Sequence, residues 1–137
     1  MKKRIEKYFE AALQSIRVVL QENNEQAVID REYQGYISAF GASVMQMGLL
    51  PTLAVHADEG SDSAKDRRKL LRVLAETLVR ENNVISARLR SALTGKEDQL
   101  FKVAVANQAL LPELQEHLLD AAVAVKLCIR TFKLSEA

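Results

Sequence analysis

Two histidines, one cysteine and a set of acids and bases are the side chains from which any chemistry of this 137-residue chain must be built. His56 with Asp58 and Glu59, and His117 with Glu113 or Glu116, have the right residue types for a metal ion. Neither group has a ligand spacing such as H-E-x-x-H, so ordinary polar side chains near the surface are the expectation for both. Cys128 lies among Val125, Leu127 and Ile129, where a small buried thiol fits better than a nucleophile. Gly35, Gly41 and Gly48 are spaced to sit on a helix or end one, and no G-x-x-x-x-G-K-[ST] loop occurs to cradle a phosphate. No serine, histidine and acid combination follows from spacing alone. The expectation is a non-enzyme with no catalytic residue, no metal and no cofactor.

The basic residues are the informative ones. Between residues 64 and 93, at about 100° per residue, Lys65, Arg68, Lys69, Arg72, Arg80 and Arg90 map to one sector opposite a leucine stripe, with Arg67 and Arg88 to its sides. Cations in the first turns of a helix face its own positive end, a cost of roughly 0.3–1 kcal/mol each. Stability alone does not choose that placement. Lys126, Arg130 and Lys133 repeat the theme near the end of the chain, spaced by four and three. Side chains so arranged can meet successive phosphates of a polyanion. A solvated polar face is the other reading of any such charge run.

Helices are the elements that must carry these residues. Ile5, Phe9, Ala12, Leu13, Ile16, Val19 and Leu20 share one side of a predicted helix over residues 4–22, with Glu6, Glu10, Gln14, Arg17 and Gln21 opposite. Tyr33, Tyr36, Ile37, Phe40, Gly41, Val44 and Met47 predict a second helix over 32–47, stopped by Gly48. Pro51 opens a short third through Val55. Residues 58–63 read as a surface loop, with Ser63 and Asp66 as a variant capping box. A long helix is predicted over 64–93 on Leu70, Leu71, Leu74, Leu78, Ile85 and Leu89, with Asn82-Asn83 as a place for a kink and Thr94-Gly95 as its stop. A fifth spans 97–110 and ends before Pro112. A last one runs to the C-terminus on Leu114, Leu118, Ala121, Ala122, Val125, Ile129 and Phe132. The predicted architecture is all-α, a single domain over 1–137, built as a compact bundle of five or six helices in which Gly41 permits close helix approach.

Bulk properties agree with that picture. Hydrophobic residues make up 48% of the chain and aromatics only 5%, so the core is aliphatic. A formal charge of +1 is too small for strong free-standing attraction to nucleic acid, which leaves local segregation of charge as the only route. The single cysteine cannot close an intramolecular disulfide, no signal-peptide core follows Lys2, Lys3 and Arg4, and no apolar run reaches membrane-spanning length. A cytoplasmic protein with no membrane contact is expected.

Residues 31–44, R-E-Y-Q-G-Y-I-S-A-F-G-A-S-V, followed by 46–54, Q-M-G-L-L-P-T-L-A, resemble the signature of the small subunit of type III-B CRISPR effector (Cmr) complexes. The resemblance is concentrated in those two dozen residues and weaker in the last helix. It implies a subunit of an antiviral ribonucleoprotein, present in several copies that stack beside the other Cmr subunits and contact the guide RNA and target RNA backbone. It also implies no catalytic role, since RNA cleavage belongs to a backbone subunit and nucleotide chemistry to the large one. Backbone contact would suit an assembly whose guide supplies sequence recognition by base pairing. A few contacts per copy become substantial when copies are fixed in a row. A helical protein–protein adaptor without direct nucleic-acid contact is the alternative.

Overall fold

A computed structural model describes residues 5–21, 28–57, 67–81 and 84–134 of the chain. Its elements follow the apolar spacing closely. Among the described residues, seven α-helices run in the order α1 (Phe9–Leu20), α2 (Glu32–Met47), α3 (Leu49–Ala57), α4 (Arg68–Arg80), α5 (Ala87–Leu93), α6 (Leu100–Ala106) and α7 (Leu111–Ile129). Single 3-10 turns at Glu97–Gln99 and Gln108–Leu110 flank α6. The described residues are all-α apart from one short pairing, in which β1 (Val28–Ile29) lies parallel to β2 (Lys133–Leu134) with Val28 opposite Lys133.

The leucines of α4 put it at the centre. Leu70, Leu71, Val73, Leu74, Ala75, Thr77 and Leu78 are all buried, an arc too wide for one neighbour to cover. Helices α1, α3 and α7 accordingly pack around it, and α2 closes on α7 from outside. The aliphatic core joins Ile16, Phe40, Leu53, Leu74, Leu89, Leu118 and Val125 in one cluster. Gly48 makes the corner between α2 and α3. Its φ of +92° and ψ of 167° suit only a residue without a side chain, its N–H donates to the Val44 carbonyl at 2.8 Å, and its own carbonyl accepts from the Thr52 hydroxyl at 2.9 Å.

Three expectations need correction. The helix predicted over 64–93 is two helices, which raises the count to seven. Glu81 leaves helical geometry, and Ser86 starts α5 afresh as its N-cap, with Oγ accepting from the Leu89 N–H at 3.2 Å. The last helix stops at Ile129, where the Thr131 hydroxyl donates to the Cys128 carbonyl at 2.7 Å and the backbone turns into β2. Gly41 does not serve close approach: a Cβ added there would meet nothing within 4 Å. Smaller shifts occur too. Met47 is exposed, and the buried side of α1 centres on Tyr8, Ala12, Ile16 and Val19 while Phe9 and Leu13 are half-buried. The residue 58–63 loop, the Ser63–Asp66 cap and Asn82-Asn83 lie outside the described residues.

Candidate nucleic-acid interface

Because most of α4 is buried, only a narrow outward strip remains, and Arg68, Lys69, Arg72 and Arg80 fill it. Arg68, Lys69 and Arg80 are exposed and Arg72 is half-exposed. The strip is not purely cationic. Glu76 lies one turn from Arg72 and one turn from Arg80, at 3.8 Å from the Nε of the first and 3.3 Å from that of the second. Its carboxylate therefore offsets part of the charge at the distal end of the strip. Arg68 also lines a cleft of about 170 Å³ between α3, α4 and the Glu97–Gln99 turn, together with Asp98, Phe101 and Lys102. Lys102 is an exposed cation beside the strip that helix-by-helix reading overlooked, because its neighbour in space is on another element.

The other predicted residues do not all join this surface. Arg90 sits on α5, past the helix break, and its guanidinium reaches back to donate to the Glu81 carbonyl at 3.4 Å. It bridges α4 and α5, and the common phase that one continuous helix would give it is lost. Lys126 is half-buried on α7 and lines a groove of about 260 Å³ with Ile37, Gly41, Met45 and Val123, while Arg130 is exposed just after the helix. Lys133 belongs to β2 by its backbone, and Lys65 lies outside the described residues. Arg67, placed at the side of the strip by spacing, turns away from it. Its guanidinium lies 4.6 Å over the ring of Tyr36 on α2.

Neither histidine is the surface residue that spacing suggested. His56 is buried against Phe40, with ring centroids 5.7 Å apart and Nδ1 3.0 Å from the Thr52 carbonyl. Burial pulls its pKa below the usual value, the Thr52 hydrogen bond opposes this, and the field of Arg67 adds to the lowering. The neutral ring, with Nδ1–H donating to Thr52, results.

His117 belongs to a polar chain that joins three elements. The Tyr8 hydroxyl is 3.0 Å from His117 Nδ1, His117 Nε2 is 3.8 Å from Glu113, and Glu113 accepts from both the N–H and the hydroxyl of Ser86, at 2.8 and 2.7 Å. Burial of Tyr8, with the fields of Asp120 and Glu81, raises its phenol far above normal and keeps it protonated. A serine, a histidine and an acid thus meet, but in the wrong order for catalysis. Glu113 stands between Ser86 and His117, so the imidazole cannot take the serine proton, and Ser86 Oγ is already committed to capping α5. The arrangement is a brace.

Cys128 is buried with Sγ 3.7 Å from the Phe9 carbonyl, and burial pushes its thiol pKa up, away from nucleophilic use. Among the described residues no three His, Cys, Asp or Glu side chains converge as a metal-ligand group; Asp58 and Glu59 are not among them. No helix among the described residues is long and apolar enough to cross a membrane.

An all-α chain with one outward basic strip and a glycine–proline corner between α2 and α3 fits the resemblance carried by residues 31–54. Comparison with known families agrees: a model of the CRISPR-associated protein family Cas_Cmr5 matches residues 4–128. Neither a curated protein nor a solved structure matches the chain. The match spans all seven helices up to the last turn of α7, and on it the chain belongs to the Cas_Cmr5 family, the small subunit of the type III-B Cmr complex of CRISPR defence.

Proposed function

We propose that this subunit is non-catalytic, stacks in several copies within the Cmr complex and contacts the guide–target RNA backbone through the outward strip of α4. The observation that supports this most is the composition of that strip. In a chain of net charge +1, the residues left unburied on the central helix are Arg68, Lys69, Arg72 and Arg80, with one acid, Glu76, and half-buried Val79 among them. Lys102 extends the same surface, and Arg130 is a further exposed cation. Phosphate contact needs side chains that reach outward from a rigid support, and a helix packed on three sides supplies one. Few contacts per copy would suffice, since copies held in register act at high effective concentration.

Reversing the charges of Arg68, Lys69 and Arg72 tests the reading in the assembled complex. Each lost phosphate contact lowers the slope of log affinity against log salt by roughly 0.7–0.9. The expected outcome is weaker target-RNA binding and a salt slope smaller by about 2 per copy. Unchanged affinity and slope would reject the strip. The second reading is an adaptor whose strip meets acidic protein surfaces with no direct nucleic-acid contact. Crosslinking from Lys69 in the assembled particle separates the two, to RNA in one case and to protein in the other.

A further inference from the structure

The segment that carries the family signature has a property its packing does not explain. No Asp, Glu, Lys or Arg occurs between Glu32 and Asp58, in a chain that is 27% charged. Much of that segment nevertheless faces outward. Gly35, Ala39 and Ala42 are exposed on α2, as are Met45 (74%), Met47 (47%) and, on α3, Val55 (46%). A Cβ at Gly35 would meet nothing within 4 Å, so the fold itself does not require glycine in this helix. Lack of charge and exposed methionine are two compositional marks of the buried centre of a protein–protein contact.

In the face lies a pocket of about 120 Å³, lined by Tyr36, Ser43, Met47, His56 and Arg67 among others. The Arg67 guanidinium carbon lies over the Tyr36 ring, and its Nε is buried with no hydrogen-bond partner among the described residues. A guanidinium N–H left so is costly, and because Nε is closed to solvent an arriving group meets this cation at its terminal nitrogens. His56, held neutral by burial, adds no second charge, so Arg67 is the one charged side chain among the residues lining the pocket.

We infer that the α2–α3 face docks a different protein subunit of the Cmr complex, with Arg67 receiving an aspartate or glutamate side chain of that partner in the Tyr36 pocket. A carboxylate matches the guanidinium fork and fits the small volume. An RNA backbone matches less well, since it presents successive phosphates and the pocket lining holds a single cation for them. A second copy applied through the same face matches less well too, because Glu32, the carboxylate beside the pocket, already accepts from the Tyr36 hydroxyl at 2.8 Å. The inference rests on membership of the complex and not on RNA contact by α4.

The test uses the remaining Cmr subunits assembled with guide RNA but without this chain, to which the full-length parent, R67E, R67A and A42R are added. R67E is expected to join at least tenfold more weakly and R67A several-fold, with circular dichroism and thermal midpoint close to the parent. Ala42 is exposed, so A42R leaves the fold intact and should also impair joining even if the Arg67 variants are unstable. Charge reversal of Lys69 and Arg72 should weaken target-RNA binding and leave joining unchanged, which keeps this inference separable from the proposed RNA role. Normal joining by R67E and A42R would overturn it. So would normal joining by R67E with weaker RNA binding, which makes Arg67 a phosphate contact. Self-association of the parent that R67E abolishes would make the occupant a second copy and overturn it equally.

Discussion

Glu76 holds two arginines of the basic strip and so controls how much of their charge reaches outward. Replacing it with glutamine should change stability by less than about 1 kcal/mol, since exposed pairs on one helix contribute little. Target-RNA affinity should rise, because removing one negative charge about 7 Å from a phosphate is worth about 0.6 kcal/mol in water, roughly threefold. Affinity measured at low and high salt checks this, with the gain fading as salt screens it. His56 gives a second expectation. Its pKa is lowered in the fold, so below the unfolded value of 6.5 the unfolded chain binds a proton that the folded chain refuses. The contribution of His56 is complete above that pH and is lost on acidification toward its folded value, by at most about 1.4 kcal/mol per pH unit. Urea midpoints between pH 5 and 8 should fall more steeply on acidification below about pH 6.5 for the parent than for H56Q. Neither behaviour was legible in the sequence. The spacing that aligned Arg72 and Arg80 also placed Glu76 between them, but a search for cations passes over the acid. His56 looked peripheral because its partner Phe40 is on another helix.

Helix boundaries depend on single hydrogen bonds, and Ser86 shows how many one residue can hold. It caps α5, and it donates twice to Glu113, whose carboxyl stays below the usual carboxylate range because these bonds, with the fields of His117 and Arg88, outweigh its burial. S86A should cost about 2 kcal/mol in a urea denaturation, near the upper end for a cap, since Glu113 loses its hydroxyl donor as well. The apolar stripe from Leu70 to Leu89 was readable, and all six of its residues are buried. The break at residue 81 was not, because it is fixed by Glu113, which follows Ser86 by 27 positions and sits on α7. The glycines of α2 offer the opposite test. G35A and G41A should each stabilise the free subunit by about 0.5–1 kcal/mol, as alanine is the better helix former and open space surrounds both positions. Thermal midpoints of the isolated chain measure this.

At the scale of the whole molecule, the class and the positions of most core residues follow from periodicity, since a 3.6-residue repeat records which side of each helix is covered. What covers it is not recorded. The packing of α1 on α4 and α7, the cleft shared by Arg68 and Lys102, and the turn of Arg67 toward Tyr36 all join residues distant in sequence. Contacts also close the two ends of the fold: Val28 and Ile29 meet Lys133 and Leu134, just as Tyr8 meets His117. During synthesis the first helix therefore waits for the last. A nascent chain halted before residue 111 carries α1 without the covering that α7 gives it, open to proteases and chaperones, and becomes resistant only when residues 111–134 have left the ribosome. The order of its own contacts thus makes closure of the first helix a late event in synthesis.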